Sequence, residues 1–317
     1  MVVIESEAAF EEVTMTLFNS AEVEQVLLPN VRDLGDGFQV RRALPSAQRR
    51  MVGPFIFLDS FGPVTFRAGE GLDSRPHPHI GLSTLTYLID GEIVHRDSEG
   101  YVQTIGPGDV NLMTAGRGIV HSERSGDLVR ASGGTVFGFQ SWIALPLRHE
   151  ETRPGFQHLA AADIPQMEGE GATLRLLAGS LHGLRSSTRT FSDLFNADIA
   201  LKDGARFVIS PEHVERAAYV VSGEIEIAGQ TGRFGKDQLI VFKPGVEIVL
   251  RASGAARLMV LGGEPLGEKR HIYWNFVSSN QERIAQAAQD WRDRRFPGVP
   301  GETEFTPLPD ARVFHAA

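Results

Sequence analysis

One short pattern occurs twice in this chain, 132 residues apart, and it restricts the possible fold more than any other feature. The segments TYLIDGEIV (86–94) and AYVVSGEIE (218–226) share Tyr, Gly, Glu and Ile at matching positions. A further β-rich run follows each copy, GDVNLMTAG (108–116) after the first and KDQLIVFKPG (236–245) after the second. Ordered matches across two such runs predict a duplicated β unit.

Most of the chain is typical of short strands separated by Gly and Pro, as in β-sandwiches and barrels. The first copy of the repeat carries Asp90-Gly91 between two β-rich runs, which predicts a hairpin. The segment TVFGFQSWIALP (135–146) predicts another strand, and the polar, Gly-rich residues 147–171 predict a linker. The fold class predicted from these patterns is all-β.

One segment near the end of the chain predicts a short helix, SNQERIAQAAQDWRDRR (279–295). Ser279 and Glu282 have the spacing of a capping box at its start, and Pro297 follows its end. Ile284, Ala288 and Trp291 form one apolar stripe. Such a stripe predicts packing against a barrel and no chemistry of its own.

Charge and cysteine content exclude several classes of function. The 317 residues carry a formal net charge of −9, which argues against non-specific binding to nucleic acid or an anionic membrane surface. The absence of cysteine excludes disulfides, thiolate metal sites and cysteine nucleophiles, so any metal ligands must be His, Asp or Glu. No apolar run reaches the ~18 residues of a transmembrane helix. The acidic first residues are unlike a signal peptide, and we expect a cytoplasmic protein.

Two pairs of candidate metal ligands stand out because each pair is spaced two residues apart. His77 and His79 form one pair, and His121 and Glu123 form the other, both on predicted strands. Residues i and i+2 of a strand point to the same face, so each pair can reach one ion. Imidazole suits Fe, Ni, Cu and Zn, and four protein ligands leave two of six positions open for substrate and O₂. The other seven histidines, His95 among them, are predicted to be surface or locally bonded residues.

The first pair lies in the pattern G-x5-H-x-H-x4-T-x6-G (71–91), which resembles the first cupin motif. Thr84 stands where that motif carries Glu. Together with PGDVNLMTAGRGIVHSE (107–123) and HIYWNFVSS (271–279), the pattern is similar to the pirin branch of the cupins. In that branch a carboxylate two residues after the third histidine replaces the missing Glu, and here that carboxylate is Glu123. The resemblance covers about residues 22–297.

The resemblance implies a bicupin, that is, two tandem antiparallel β-sandwich or barrel domains with a short C-terminal helix. We predict an N-terminal extension (1–21, poorly ordered), a metal-binding cupin domain (22–148), a metal-free cupin domain with the helix (149–297) and a tail (298–317). Counting back from the second repeat puts Ile209 and Pro211 where His77 and His79 stand in the first. Residues 250–252, near the counterpart of the second pair, also offer no ligand.

The resemblance also implies a site and an activity. The implied ligands of one mononuclear divalent ion are His77, His79, His121 and Glu123, with Fe²⁺ favoured and Ni, Cu, Zn or Mn as alternatives. Pirin-like proteins resemble quercetin 2,3-dioxygenases, which open a flavonol ring with O₂ and release carbon monoxide. The implied partners are therefore a small aromatic substrate and O₂.

Within this interpretation Glu123 is the candidate catalytic base, because its carboxylate could take the proton of a flavonol 3-hydroxyl. Phe57, Gln140 and Trp142 are candidate pocket residues, and the alternation of the predicted strand places Gln140 and Trp142 on one face. The alternative function is a non-enzymatic, iron- or redox-responsive regulator that acts through a protein partner. A third possibility is another metal-dependent cupin chemistry, such as an isomerase or a different dioxygenase. The residues themselves do not separate the three functions.

Overall fold

The computed structural model describes residues 22–33 and 38–309. The predictions for residues 1–21 and for the last part of the C-terminal tail lie outside the described residues. Within them, strands dominate and two α-helices are present, α1 (Asp127–Ser132) and α2 (Gln281–Arg292). The structure confirms the predicted all-β fold, with two barrel-like units and a short C-terminal helix.

The first barrel consists of two sheets that face each other. Its seven-stranded sheet has the following strands in spatial order: β12 (Gly155–Leu159), β9 (Val110–Thr114), β6 (Leu82–Asp90), β11 (Gly134–Ala144), β4 (Phe55–Phe66), β3 (Gln39–Leu44) and β2 (Asn30–Asp33). Its four-stranded sheet has these: β5 (Asp73–His79), β10 (Ile119–Arg124), β7 (Ile93–Asp97) and β8 (Val102–Ile105). The four-stranded sheet carries both pairs of candidate ligands.

The second barrel is a single ten-stranded sheet. Its main path is β1 (Val23–Leu27), β20 (Leu239–Phe242), β18 (Glu215–Ile227), β21 (Ile248–Gly263), β16 (Leu194–Leu201), β14 (Ala172–Leu181) and β13 (Gln166–Gly169). Three short strands complete it: β15 (Leu184–Arg185), β17 (Arg206–Ile209) and β19 (Phe234–Gly235). A separate two-stranded ribbon, β22 (His271–Tyr273) and β23 (Phe276–Ser278), precedes α2.

The hairpin predicted at Asp90-Gly91 is wrong. The chain turns there, but β6 pairs with β9 and β11 while β7 pairs with β8 and β10, so the turn leads from one sheet to the other. Gly91 has a φ of +85°, and a Cβ at this position would lie 2.1 Å from the carbonyl oxygen of Thr135. Its counterpart Gly223 has a φ of +74°, and a Cβ there would lie 2.2 Å from the carbonyl oxygen of Ala255. The repeated glycine therefore marks a point where two backbones approach closely, and in the first copy this point is also the turn between the sheets.

Two further predictions need correction. The predicted linker contains β12, which pairs with β9, and β13, which pairs with β14, so each barrel takes one edge strand from it. Helix α2 is capped by Asn280, whose side chain accepts a hydrogen bond from the N–H of Glu282 at 2.8 Å. Ser279, the predicted cap, instead donates its hydroxyl to Glu150 at 2.9 Å. The apolar stripe of α2 is buried as predicted.

The two ends of the described chain are exchanged between the barrels. Strand β1 pairs antiparallel with β20 of the second barrel, although the predicted boundary at residue 22 places it in the first. Conversely, Ile284 and Trp291 of α2 pack in one cluster with Ile80 and Val120 of the first barrel. The sheet pairing therefore differs from the predicted boundaries at both ends, and the division at residues 148 and 149 stays a prediction.

A shared hydrophobic cluster joins the two barrels. It contains Tyr87 and Phe139 from the first barrel and Tyr219 and Leu261 from the second, all buried. The rings of Phe139 and Tyr219 meet edge to face, with their centroids 5.4 Å apart. No helix among the described residues has the length and apolar character needed to span a membrane.

Candidate metal centre

Strands β5 and β10 carry all four candidate ligands and bring the three histidines together. The two strands pair antiparallel, with His77 directly opposite His121 and with His79 opposite Ile119. Because side chains of one strand alternate between faces, His77 and His79 share the face that looks into the barrel. His79 and His121 are buried, and His77 is half-buried.

The three imidazoles surround one small volume. Their ring centroids are 5.1 Å apart for His77 and His79, 4.4 Å for His77 and His121, and 5.0 Å for His79 and His121. One nitrogen from each ring lies within 4.8 Å of the others, and Nε2 of His79 is 3.1 Å from Nε2 of His121. Two nitrogens bound at about 2.1 Å to one ion, at right angles, would be about 3.0 Å apart. The arrangement therefore fits a shared metal ion.

The protonation of these rings also suits a metal. Burial lowers the pKa of all three, and the pKa of His79 and of His121 falls well below the usual value, helped by repulsion from His77. The rings are therefore neutral near pH 7, which is the form that binds metals. The Nδ1–H of His77 donates to the carbonyl of Arg75 at 2.8 Å, which leaves its Nε2 free as a ligand.

The C-terminal residues of the described chain hold the outer side of these two strands. The N–H of Thr306 donates to the carbonyl of Pro76 at 2.8 Å, and its hydroxyl donates to the carbonyl of Arg75 at 3.2 Å. Arg124 of β10 forms ion pairs with Glu302 and Glu304, each at 2.8 Å. The residues that follow α2 therefore support the strands that carry the histidines.

Glu123, the predicted fourth ligand, lies beside this cluster but in a different group. Its carboxylate groups with His121 and His95 within the same 4.8 Å limit, whereas the first group contains the three histidines alone. The Nε2 of Gln140 donates to both carboxylate oxygens of Glu123, at 3.1 and 3.0 Å, and the hydroxyl of Thr86 donates to one of them at 3.3 Å. Two polar side chains of the facing sheet thus fix the position of this carboxylate.

His95 is the residue that sequence reasoning missed. It lies on β7, directly opposite Glu123 of β10, and it is 3% exposed. Its Nδ1 is 3.4 Å from Nδ1 of His121, and its Nε2 is 3.1 Å from a carboxylate oxygen of Asp97. A signal existed in the sequence, since His95 and Asp97 are also spaced two residues apart, as in the two pairs that were singled out.

The three predicted pocket residues form one wall of the site. The rings of Phe57 and Trp142 are stacked with centroids 4.0 Å apart, and Trp142 also meets His79 edge to face at 5.1 Å. The Nε1 of Trp142 is buried without a hydrogen-bond partner among the described residues. Gln140 is the next residue on the same face of β11 and contacts Glu123. The wall is therefore flat and apolar at one end and polar at the other.

Comparisons with known proteins point to one family. A family model described as pirin matches residues 37–143, and one described as the pirin C-terminal cupin domain matches residues 196–297. A pirin-like protein of Caulobacter vibrioides is 47% identical over 284 residues, which cover 88% of this chain and 96% of that protein. A protein of Pseudomonas aeruginosa that is provisionally named a quercetin 2,3-dioxygenase is 40% identical over 268 residues, with coverage of 83% and 82%.

A solved structure agrees with these relatives. The crystal structure of quercetin 2,3-dioxygenase from Acinetobacter baumannii superposes with a TM-score of 0.82 at 34% identity. The match covers 92% of this chain and 97% of that one, so it includes both barrels.

Proposed function

Since the chain belongs to the pirin family of bicupins, we propose that it is a metal-dependent dioxygenase that opens the ring of a quercetin-type flavonol with O₂. The observation that carries the proposal is the convergence of His77, His79 and His121 on one point, with the carboxylate of Glu123 beside it. Relatives with quercetin dioxygenase names support the substrate class.

We propose that His77, His79, His121 and Glu123 hold one divalent ion, and that the ion is Fe²⁺. The donor set of neutral imidazoles and one carboxylate suits iron, and it also suits Ni, Cu, Zn and Mn. A bound ion would supply Lewis acidity at the flavonol hydroxyl and a path for electrons to O₂. Thiolate ligands are excluded, since the chain has no cysteine.

The step that the protein's side chains perform in this proposal is a proton transfer. The 3-hydroxyl of the flavonol loses its proton to a carboxylate oxygen of Glu123, and the flavonol becomes an anion that reacts with O₂ more readily. This transfer requires the two oxygens to be about 2.6–3.2 Å apart. Gln140 and Thr86 donate to the same carboxylate, so they hold it in position and orient the accepting oxygen.

The wall of Phe57 and Trp142 suits a flat aromatic ligand. The two rings stack on each other and are only 6% and 5% exposed, so a planar ring would pack against their edges. The polar end, with Gln140 and Glu123, would then face the hydroxyl groups of the substrate. Orientation of the flavonol along this wall would bring its 3-hydroxyl to the side where the histidines converge.

The test is flavonol consumption by protein loaded with a single metal. Protein purified without oxygen is loaded with Fe²⁺, desalted and analysed for metal, and we expect a metal-to-chain ratio near one. Addition of quercetin and O₂ should then abolish the flavonol absorbance and release one carbon monoxide per flavonol. The controls are His77→Ala protein treated identically and the same amount of free Fe²⁺.

Two results would contradict the proposal. A ratio near two would overturn the single-site assignment. Protein that holds one ion per chain but consumes no flavonol with Fe, Ni, Cu, Zn or Mn would overturn the dioxygenase, and the regulator would then become the better hypothesis.

A further inference from the structure

The side of His121 that faces away from the candidate metal is occupied by a second histidine. His95 and Asp97 lie on β7, next to β10, and they are 3% and 0% exposed. The three side chains form a chain of contacts. A carboxylate oxygen of Asp97 lies 3.1 Å from Nε2 of His95. Nδ1 of His95 lies 3.4 Å from Nδ1 of His121, which is a long distance for a hydrogen bond. The proposed function gives no role to these two residues.

The placement of hydrogen atoms along this line follows from Asp97. One of its carboxylate oxygens accepts the backbone N–H groups of Glu99 and Tyr101, both at 3.0 Å, and the other faces His95. A carboxylate accepts and does not donate, so Nε2 of His95 carries the hydrogen. Nδ1 of His95 is then a bare acceptor, and Nδ1 of His121 must carry the hydrogen that points to it. Nε2 of His121 is left bare, on the side of His79.

We propose that Asp97 and His95 are positioning residues that fix the tautomer of His121 and thereby determine how tightly the centre binds metal. The inference rests on the metal site of the proposed function and extends it by two residues. Metal-binding histidines commonly donate their second N–H to a carboxylate or carbonyl, which fixes the ring and its tautomer. In this site a histidine stands between the ligand and the carboxylate.

The same contacts help to decide between two possible positions of the metal ion. His95, His121 and Glu123 also form a group that could hold an ion. An ion bound between the facing Nδ1 atoms of His95 and His121 would need Nδ1 of His121 as a bare nitrogen, which is the tautomer that Asp97 and His95 oppose. The proposal therefore assigns the metal to Nε2 of His121 and excludes Nδ1.

The first test is Asp97→Asn, whose effect follows from the contacts of Asp97. The two backbone N–H groups require an oxygen, so the amide nitrogen of the new side chain must face Nε2 of His95. His95 would then carry its hydrogen on Nδ1, and His121 would carry its hydrogen on Nε2, the wrong side for the metal. We expect Zn²⁺ affinity, measured by competition with a chromophoric chelator, to fall about 10–100-fold.

The matched control is Asp109→Asn. Asp109 also accepts two backbone N–H groups, from Gly106 and Ala161, and lies in the same barrel away from the four histidines. We expect its Zn²⁺ affinity to equal that of the parent. Equal affinity in parent and Asp97→Asn protein would overturn the proposal.

The second test reads the tautomer directly and needs no metal. In metal-free protein labelled with ¹⁵N-histidine, NMR should show the hydrogen of His121 on Nδ1 in the parent and on Nε2 in Asp97→Asn. A hydrogen on Nε2 in the parent would overturn the proposal. If the parent binds no Zn²⁺, the proposed metal site fails, but the tautomer of His121 still tests this inference separately.

Substitutions of His95 keep the proposal testable if Asp97→Asn does not fold. His95→Asn places an amide oxygen near the position of Nδ1 and should retain an acceptor for His121, whereas His95→Leu removes it. We expect the Asn variant to bind Zn²⁺ more tightly than the Leu variant, by about 10-fold or more. Equal affinities in these two variants would show that His95 acts by packing alone.

Discussion

In the first barrel β5 and β10 face each other through His77 and His121, whereas in the second barrel the equivalent strands β17 and β21 face each other through Ile209 and Ile248. Other equivalent pairs follow from the repeat and from the strand register. His95 lies opposite Glu123, and the equivalent pair of the second barrel is Ile227 and Leu250. Gln140 lies opposite Thr86, and the equivalent pair is Val260 and Ala218.

Each of these six residues of the first site is thus matched by an apolar one. The six residues of the second barrel belong to one buried hydrophobic cluster: Ile209, Ala218, Ile227, Ile248, Leu250 and Val260. The same strand pairing therefore accepts either interior, so the fold does not require the histidines. Apolar side chains gain free energy from burial, while the imidazoles lose hydration, as their lowered pKa values show. The polar interior is retained at a cost in stability, which is consistent with a functional role.

The largest effect should come from Glu123→Gln. The counterpart of Glu123 is Leu250, so this barrel alone offers a base at this position. We expect the variant to keep some metal through three imidazoles but to lose about 10²–10⁴-fold in flavonol turnover per bound metal, as for loss of a general base. The exposed Glu70→Gln in the same barrel is the control. An unchanged rate per bound metal would mean that Glu123 is not the base.

A large loss of stability should follow from Ile248→His, which copies His121 into the second barrel. The variant loses about 1.5–3 kcal/mol of apolar burial and leaves imidazole nitrogens without partners at about 1–3 kcal/mol more. We expect the free energy of unfolding of the metal-free protein, measured with urea, to fall by about 3 kcal/mol or more. Val208→His, on the outer face of β17, should change it by less than about 0.5 kcal/mol. A small loss for Ile248→His would mean that the second interior also accommodates polar groups.

A smaller loss of stability should follow from substitution of the two tyrosines of the repeat, each of which donates a hydrogen bond to a carboxylate. Tyr87 donates to Asp198 of the other barrel at 2.7 Å, and Tyr219 donates to Asp237 at 2.9 Å. Asp198 is 5% exposed and Asp237 is 31% exposed, so the first bond is the better shielded. We expect Tyr87→Phe to cost about 2 kcal/mol and Tyr219→Phe about 1 kcal/mol in urea unfolding. A larger loss for Tyr219→Phe than for Tyr87→Phe would contradict the idea that shielding from solvent strengthens these hydrogen bonds.

The most gradual effect concerns pH, because it develops over a range of pH and not in one step. The pKa of His79 and of His121 is lowered in the folded state, so between that value and about 6.5 only the unfolded chain takes up protons at these sites. Stability of the metal-free protein is therefore fully present above about pH 6.5 and is lost as pH falls below it. Each ring contributes a slope of about 1.4 kcal/mol per pH unit. In urea unfolding at several pH values, His121→Leu should reduce the slope by that amount, and an unchanged slope would contradict the prediction.

The fold class and the two pairs of ligands could be predicted because both depend on local spacing, whereas the meeting of the two pairs was implied by the family resemblance and depends on the pairing of β5 with β10. The i, i+2 pairs at His77 and His121 and the repeat around Gly91 are visible in the sequence itself. The spacing of His95 and Asp97 is visible too, but the position of His95 beside His121 depends on the pairing of β7 with β10 and not with β6. The counterpart of His121 was likewise expected near residues 250–252, while the register places it at Ile248. In both cases the structure differs from the prediction because the position depends on pairing between strands that are distant in the sequence.

The exchange of chain ends has a consequence for how such a molecule can be divided. Strand β1 completes the second barrel and α2 covers the first, so a cut between the barrels would leave each fragment holding a part of the other. Neither gene half encodes a self-sufficient module, despite the internal duplication. Mixed fragments would have to reassociate to restore either barrel, and recombination between relatives would succeed only where both halves are inherited together.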